Sequence, residues 1–227
     1  MKIRMKFSKE GSIKFVGHLD LLRLFQRAVK SAQLPVTYSQ GFNPHSLLYF
    51  AQALSVGITS EGEYIEVHLD QDVEPEWVKN QMNRILPEGL RIQEVYILVT
   101  ESKTCMALID GSSYSITITK DSAGEEFITR SNAFYNQEEI LVPRISKQKE
   151  TIINIKEFIY ELEIEEKDEA YIIHVTLAAG SRKNLNAKLF IASFIDYSNL
   201  ELVYTIHRKE LFVLKNDALV PLWKIGV

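Results

Sequence analysis

The chain has 227 residues, 46% of them hydrophobic, and a formal net charge of −4, which is enough apolar material to bury a substantial core in one large or two small domains. A single cysteine, Cys105, excludes an intramolecular disulfide framework and any cluster held by several protein thiolates. No run approaches the roughly 20 apolar residues needed to span a bilayer, and the N-terminus alternates basic and apolar residues where a secretory signal needs a continuous apolar stretch, so a cytoplasmic setting is expected.

The first element is "KIRMKFSK", whose period of two places Ile3, Met5 and Phe7 on one face of a strand and Lys2, Arg4 and Lys6 on the other. From Gly17 the period becomes helical: Leu21, Phe25, Ala28, Val29 and Ala32 share one side, and Arg23, Arg27 and Lys30 line another at i, i+4 and i+7. This amphipathic helix ends near Gln33, because Leu34 precedes a proline. A turn-rich loop, "VTYSQGFNPHS", leads to an apolar strand in "SLLYFAQALSVGI" and a second in "EGEYIEVHLD", the latter with Glu61, Glu63, Glu66 and His68 expected toward solvent. Pro75 suits the first turn of a helix through Trp77, Val78, Met82 and Leu86, and "LRIQEVYILV" reads as a closing strand.

The order strand, helix, strand, strand, helix, strand over residues 1–100 matches the split βαβ arrangement called ferredoxin-like. After a polar connector at 101–112, a second such pattern is expected over 113–227. It comprises a strand at "SYSITIT", a helix at "SAGEEFITRSNAFYN" with Ser122 as a possible cap, and strands at "EEILVPRIS", "ETIINIKEFIYELEIEE" and "EAYIIHVTLAAG". A helix at "NLNAKLFIASFIDYS" and one or two closing strands in "LELVYTIHRKELFVL" complete it. The expected fold class is therefore α+β, two tandem ferredoxin-like (βαββαβ) units with antiparallel sheets, the second one decorated.

Charge is unevenly spread. Residues 1–50 hold eight Lys or Arg against Glu10 and Asp20, a local +6 that leaves −10 for the remainder. Beside the basic helix, the loop has a clear division of labour: Gly41 can take positive φ, Asn43 before Pro44 favours an extended geometry and Pro44 fixes φ. Tyr38, Phe42 and His45 then offer flat faces for stacking a base, Ser39, Gln40 and Asn43 offer hydrogen bonds, and Arg23, Arg27 and Lys30 can receive phosphates. Phe42 has an alternative, plugging the core beneath a tight turn. A second candidate is "AAGSRKNLN", where Gly180, Ser181, Arg182 and Lys183 precede an expected helix start at Asn184 and can receive a phosphate or carboxylate.

Catalytic and metal signatures are sparse. His18, Asp20 and His45 lie in one region, but neither H-E-x-x-H nor paired cysteines are present, and no metal or cofactor is expected. There is no P-loop, no G-x-G-x-x-G and no G-x-S-x-G elbow. An imidazole acting on an RNA 2′-hydroxyl, from His18 or His45, stays open as an alternative.

The stretch from Arg4 to Leu69, with its H-L-D-L helix start, L-P-x-x-Y-S-x-G-F-N-P-H loop and S-E-x-E-Y strand entry, resembles the radical-SAM-linked bacterial protein family, a group carrying a domain of unknown function. Weaker likeness continues through "MALIDGSSY" and "LAAGSRKNL". The motif positions are His18, Leu19, Asp20, Arg23, Arg27, Tyr38, Ser39, Gly41, Phe42, Asn43, Pro44, His45, Ser60, Glu61 and Tyr64. Where family members often have a further proline or arginine after the loop histidine, this chain has Ser46 and Leu47. The resemblance implies partnership with a radical SAM protein that holds the cluster itself. The expected function is that of a non-catalytic accessory protein positioning an RNA or ribonucleoprotein substrate. The alternatives are a metal-independent ribonuclease resembling CRISPR repeat-processing endonucleases, whose glycine-rich C-terminal loop is absent here, and a purely protein-binding adaptor.

Overall fold

The computed structural model describes residues 1–99, 103–146 and 149–227, and the chain divides into two compact units, Met1–Asp110 with Arg208–Val227, and Gly111–His207. Both are mixed α+β with mostly antiparallel sheets. The second unit thus ends at His207, and residues 208–227, expected with it, belong to the first.

In the first unit the chain runs β1 (Lys2–Lys9), α1 (His18–Ser31), β2 (Leu48–Phe50), β3 (Thr59–His68), α2 (Pro75–Ile85), β4 (Leu90–Ile97) and a short α3 (Cys105–Leu108). The expected strand from "SLLYFAQALSVGI" shrinks to the three residues of β2, and the connector contains α3. Residues 100–102, part of that connector, lie outside the described residues. The sheet order is β4-β1-β3, with β2 also on β3. Ile3, Met5 and Phe7 of β1 and Ile65 and Val67 of β3 form one face, against which α1 packs Leu21, Phe25 and Val29 and α2 packs Val78 and Met82. Phe25 meets Phe7 with ring centroids 4.9 Å apart and Phe50 edge-on at 5.4 Å; each such fully buried side chain contributes roughly 1.5–3 kcal/mol.

The second unit contains β5 (Gly111–Thr119), α4 (Lys120–Ala123), α5 (Phe127–Tyr135), β6 (Leu141–Ser146), β7 (Lys149–Asn154), β8 (Ile159–Glu166), β9 (Ala170–Ala178) and α6 (Ala187–Ser198). Its sheet order is β5-β9-β8, while β6 and β7 pair with each other outside that sheet. The expected single helix after β5 is two, because Gly124 breaks it at φ 69°. Ser122 is no cap: its hydroxyl donates to Thr119 O at 3.0 Å and accepts Val203 N–H at 2.9 Å. Residues 147–148, in the expected polar turn, lie outside the described residues. Phe127, Phe134, Phe190 and Phe194 interlock in the core of this unit, Phe127 lying edge-on to Phe194 at 5.7 Å.

The chain closes with β10 (Tyr204–Lys215) and β11 (Ala218–Pro221). β10 pairs with β3 and β11 with β10. At the β3–β10 seam a Cβ on Gly62 would sit 2.4 Å from the carbonyl oxygen of Lys209, so only glycine allows this approach.

Candidate functional site

The loop after α1 is a narrow hairpin tied to the end of β3. Thr37 N–H donates to His68 O (2.9 Å), Leu47 N–H to Thr37 O (2.8 Å) and Asp70 N–H to Pro35 O (2.8 Å), while Thr37 Oγ1 donates to Asp70 Oδ1 (2.7 Å). Tyr38 bridges to Ser46. One step further out, Ser39 N–H donates to His45 O (2.8 Å), and Ser39 Oγ accepts the His45 backbone N–H at 3.1 Å while lying 2.9 Å from its Nδ1. Through these contacts Ser39 and His45 close the neck. Gly41 takes φ 128° at the tip, and Gln40, Gly41, Phe42, Asn43 and Pro44 are all exposed. Phe42 is fully exposed and Tyr38 is 44% exposed. Phe42 therefore does not plug the core; Leu34, Val36 and Leu48, at the loop's two ends, do that.

Along α1, Arg23, Arg27 and Lys30 lie exposed opposite the buried face. Arg23 meets Asp20 at 3.2 Å with both side chains in water, a pair worth at most about 1 kcal/mol. The loop's hydrogen bonds run within itself and to the end of β3 rather than to these cations. His18, half-buried at the start of α1, lies edge-on to Phe50 with ring centroids 5.3 Å apart. The loop leaves beyond the last turn, so roughly 20 Å of helix separates His18 from the residue where the loop begins. The two histidines therefore have separate partners, Phe50 and Ser39.

The cationic face of β1 is not the open surface its alternation suggests. Register sets Arg4 directly across from Glu66 and Lys6 across from Tyr64, and both faces of this part of the sheet are covered. Arg4, fully buried, donates from Nη2 to Glu66 Oε1 at 2.8 Å and from Nη1 to the carbonyls of Leu222 (2.6 Å) and Ile225 (2.7 Å). Glu66 Oε2 receives Lys2 Nζ at 3.2 Å and the Cys105 N–H at 3.1 Å. Lys6 pairs with Glu210 at 2.8 Å, and Tyr64 donates to the same carboxylate at 2.7 Å. Glu63 and Glu66, expected in water, are both buried. Glu63 is held by Arg208 at 3.0 Å, and Arg208 also donates to Ala53 O at 3.1 Å. Lys9, buried nearby, donates to Val16 O at 2.8 Å. Burial, only partly offset by the Glu63 charge, holds its ammonium below the usual lysine range.

Four of the eight N-terminal cations, Lys2, Arg4, Lys6 and Lys9, are thus spent inside the first unit, and Arg23, Arg27 and Lys30 stay exposed along α1. Cys105 is buried with its thiol donating to Tyr49 O at 3.3 Å; burial, then the Glu66 charge, pushes it up to about 12. Burial and Glu210 likewise hold the Tyr64 phenol far above its usual range.

Of the remaining candidates, Ser60 is buried and accepts the Gly62 N–H at 3.0 Å, and Glu61 pairs with Lys209; neither joins the loop. In the second unit, α6 begins at Ala187, three residues beyond the expected start, and its first turn is capped by Asn186 Oδ1 accepting Lys188 N–H at 2.8 Å. Gly180, at φ 102°, with Ser181, Arg182 and Lys183 therefore precedes the helix by several residues, and Lys183 lies over the Phe158 ring at 5.8 Å. No group of three or more His, Cys, Asp or Glu among the described residues is arranged to hold a metal ion. Among those residues no helix is long and apolar enough to cross a membrane.

Residues 2–187 match the family described as "Uncharacterized protein conserved in bacteria (DUF2344)". The chain belongs to this family. The DUF2344 match takes in α1, the loop, the buried ionic pairs of β1 and β3, and the second unit up to the first residue of α6. No curated protein matches the chain. Among solved structures it is similar to a chain of the crystal structure of a Cbf5-Nop10-Gar1 complex, at 10% identity and a TM-score of 0.53, covering 92% of this chain and 48% of that one. A chain of the archaeal box H/ACA sRNP Nop10-Cbf5 complex is matched at 10% identity and 0.46, with 91% and 46% covered. An unknown protein from Galdieria sulphuraria is matched at 10% identity and 0.26, with 90% and 97% covered. This chain spans about half the length of the first two, and at 10% identity the likeness to the first is one of fold alone.

Proposed function

We propose that this protein is a non-catalytic accessory factor that positions an RNA or ribonucleoprotein substrate for a radical SAM enzyme, with the hairpin loop and the outer stripe of α1 as its RNA surface. The observation that carries the RNA reading is Phe42: a fully exposed aromatic at the tip of a loop whose neck is fixed by Ser39 and His45. Holding a large apolar ring in water on an ordered loop is unfavourable for the free protein and favourable once a base stacks on it. Arg23, Arg27 and Lys30 supply exposed cations on the same βαβ segment. The radical SAM partner rests on the resemblance of the motif over residues 4–69. We also read the first unit as ferredoxin-like, which its order β1-α1-β2-β3-α2-β4 and the neighbours β4-β1-β3-β2 support, and the second as a decorated relative of it. The ribonuclease alternative draws less support, because His18 and His45 are engaged by different partners.

The test is RNA affinity at low salt for Arg23→Glu with Arg27→Glu. Loss of two phosphate contacts lowers affinity and reduces the slope of log K against log salt by about 1.4 for a single strand. Unchanged affinity and slope would remove the α1 stripe from the RNA surface.

A further inference from the structure

A different surface lies at the opposite end of α1. Phe15 is 65% exposed, Leu19 66% and Val56 45%. Phe15 ends a 3-10 turn (Gly11–Phe15) that leads through Val16 and Gly17 into α1, whose second residue is Leu19. Val56 is brought beside them because the N–H of its neighbour Gly57 donates to the Lys14 carbonyl at 2.8 Å. Three large exposed apolar side chains, from two separate loops and a helix start, are thus carried by segments held close together within the first unit, as the parts of an apolar patch would be.

The border of this patch is cationic. Lys14 Nζ lies over the Phe15 ring at 5.2 Å and meets no carboxylate among the described residues. Arg23 follows Leu19 one helical turn on, and its pairing with Asp20 is weak and water-exposed. The chemistry differs from that of the hairpin. Leu19 and Val56 have no ring for a base to stack on, and one face of Phe15 is already covered by an ammonium group. Aliphatic side chains beside two cations, Lys14 and Arg23, fit the apolar stripe of an amphipathic helix whose flanks are acidic.

We propose that the patch of Phe15, Leu19 and Val56, bordered by Lys14 and Arg23, docks an acidic amphipathic helix of a partner protein. This leaves the hairpin, Arg27 and Lys30 for RNA and places the patch toward the opposite end of α1, with Arg23 lying between the two surfaces. The proposal stands without the RNA reading, since it uses neither Phe42 nor the loop.

The probe is a synthetic helical peptide with leucines at i, i+3 and i+7 and glutamates flanking them, compared with one carrying lysines for glutamates and one carrying serines for leucines. Binding is followed by fluorescence anisotropy and by amide chemical shifts of the full-length protein. The glutamate–leucine peptide is expected to bind about tenfold or more tightly than either control and to shift the amides around Phe15, Leu19 and Val56. Phe15→Ala with Leu19→Ala should weaken it about tenfold while leaving the thermal midpoint unchanged, because both side chains sit in water. Phe42→Ala should have no effect on the peptide. Equal binding of the lysine or serine peptide, shifts centred elsewhere, or displacement of the peptide by oligouridylate with the same amides perturbed would each overturn the proposal, the last by reassigning the patch to RNA.

Discussion

Arg4 and Glu66 face each other across β1 and β3 at 2.8 Å with both side chains wholly withdrawn from water. The same guanidinium closes on the backbone carbonyls of Leu222 and Ile225, so one cross-strand pair fastens the start of the chain, the middle of β3 and the C-terminal residues together. A buried pair of this kind is not a large net stabiliser, since desolvation offsets the Coulomb gain, but breaking it leaves a charge stranded.

Arg4→Met or Glu66→Gln alone is therefore expected to cost about 3–5 kcal/mol in urea unfolding. The double variant Arg4→Met with Glu66→Gln should cost clearly less than the sum, a coupling of about 0.5–3 kcal/mol. Additive costs would mean that each side chain is satisfied by its other partners.

The Cys105 thiol gives a chemical readout of the same neighbourhood. With its pKa pushed up to about 12, only about one thiol in ten thousand is ionised at pH 8. Labelling by DTNB in native buffer is expected to be about a thousandfold slower than in denaturant, where the thiol titrates near its ordinary value. Prompt native labelling would show that α3 does not seal this face.

His68 ends β3 with its ring edge-on to Tyr49 at 5.8 Å. Burial first, and then the Lys2 charge, hold its imidazole below the ordinary 6.5, with Glu66 opposing. The folded state thus binds this proton less readily than the unfolded chain. Its contribution is present above pH 6.5 and is lost as pH falls through the folded value. His68→Gln should flatten the stability profile below pH 6.5, measured by urea midpoints across a pH series. An NMR titration of His68 with a midpoint above 6.5 would reverse the sign.

Phe42→Ala separates fold from recognition. With the ring fully in water, the unfolding midpoint should move by less than about 0.5 kcal/mol. Affinity for a single-stranded RNA should fall by about 1–3 kcal/mol, the worth of one stacked base. A large loss of stability would return Phe42 to a packing role.

The amino-acid sequence by itself placed β1, α1, β3, α2 and β4 of the first unit. The helical spacing of Leu21, Phe25 and Val29 and the proline at 75 place α1 and α2 where they are observed, since apolar period and backbone restriction are local properties. The loop was legible for the same reason: Gly41 takes the positive φ its lack of a Cβ permits. Leu19 falls outside the buried spacing of α1, which was the one available hint of an exposed apolar patch; nothing local marks Phe15 or Val56 as its companions.

What the tertiary structure decided is which strand faces see water. Alternation correctly groups Lys2, Arg4 and Lys6, but it says nothing about what lies over them. That cover comes from Cys105 and from residues 208–227, more than a hundred positions away in the chain. Their return to the first unit, through the β3–β10 seam at Gly62 and the Arg208–Glu63 pair, turns an apparent cationic surface into buried ion pairs. Local period fixes the direction of a side chain, whereas its solvation depends on long-range packing that no short window contains.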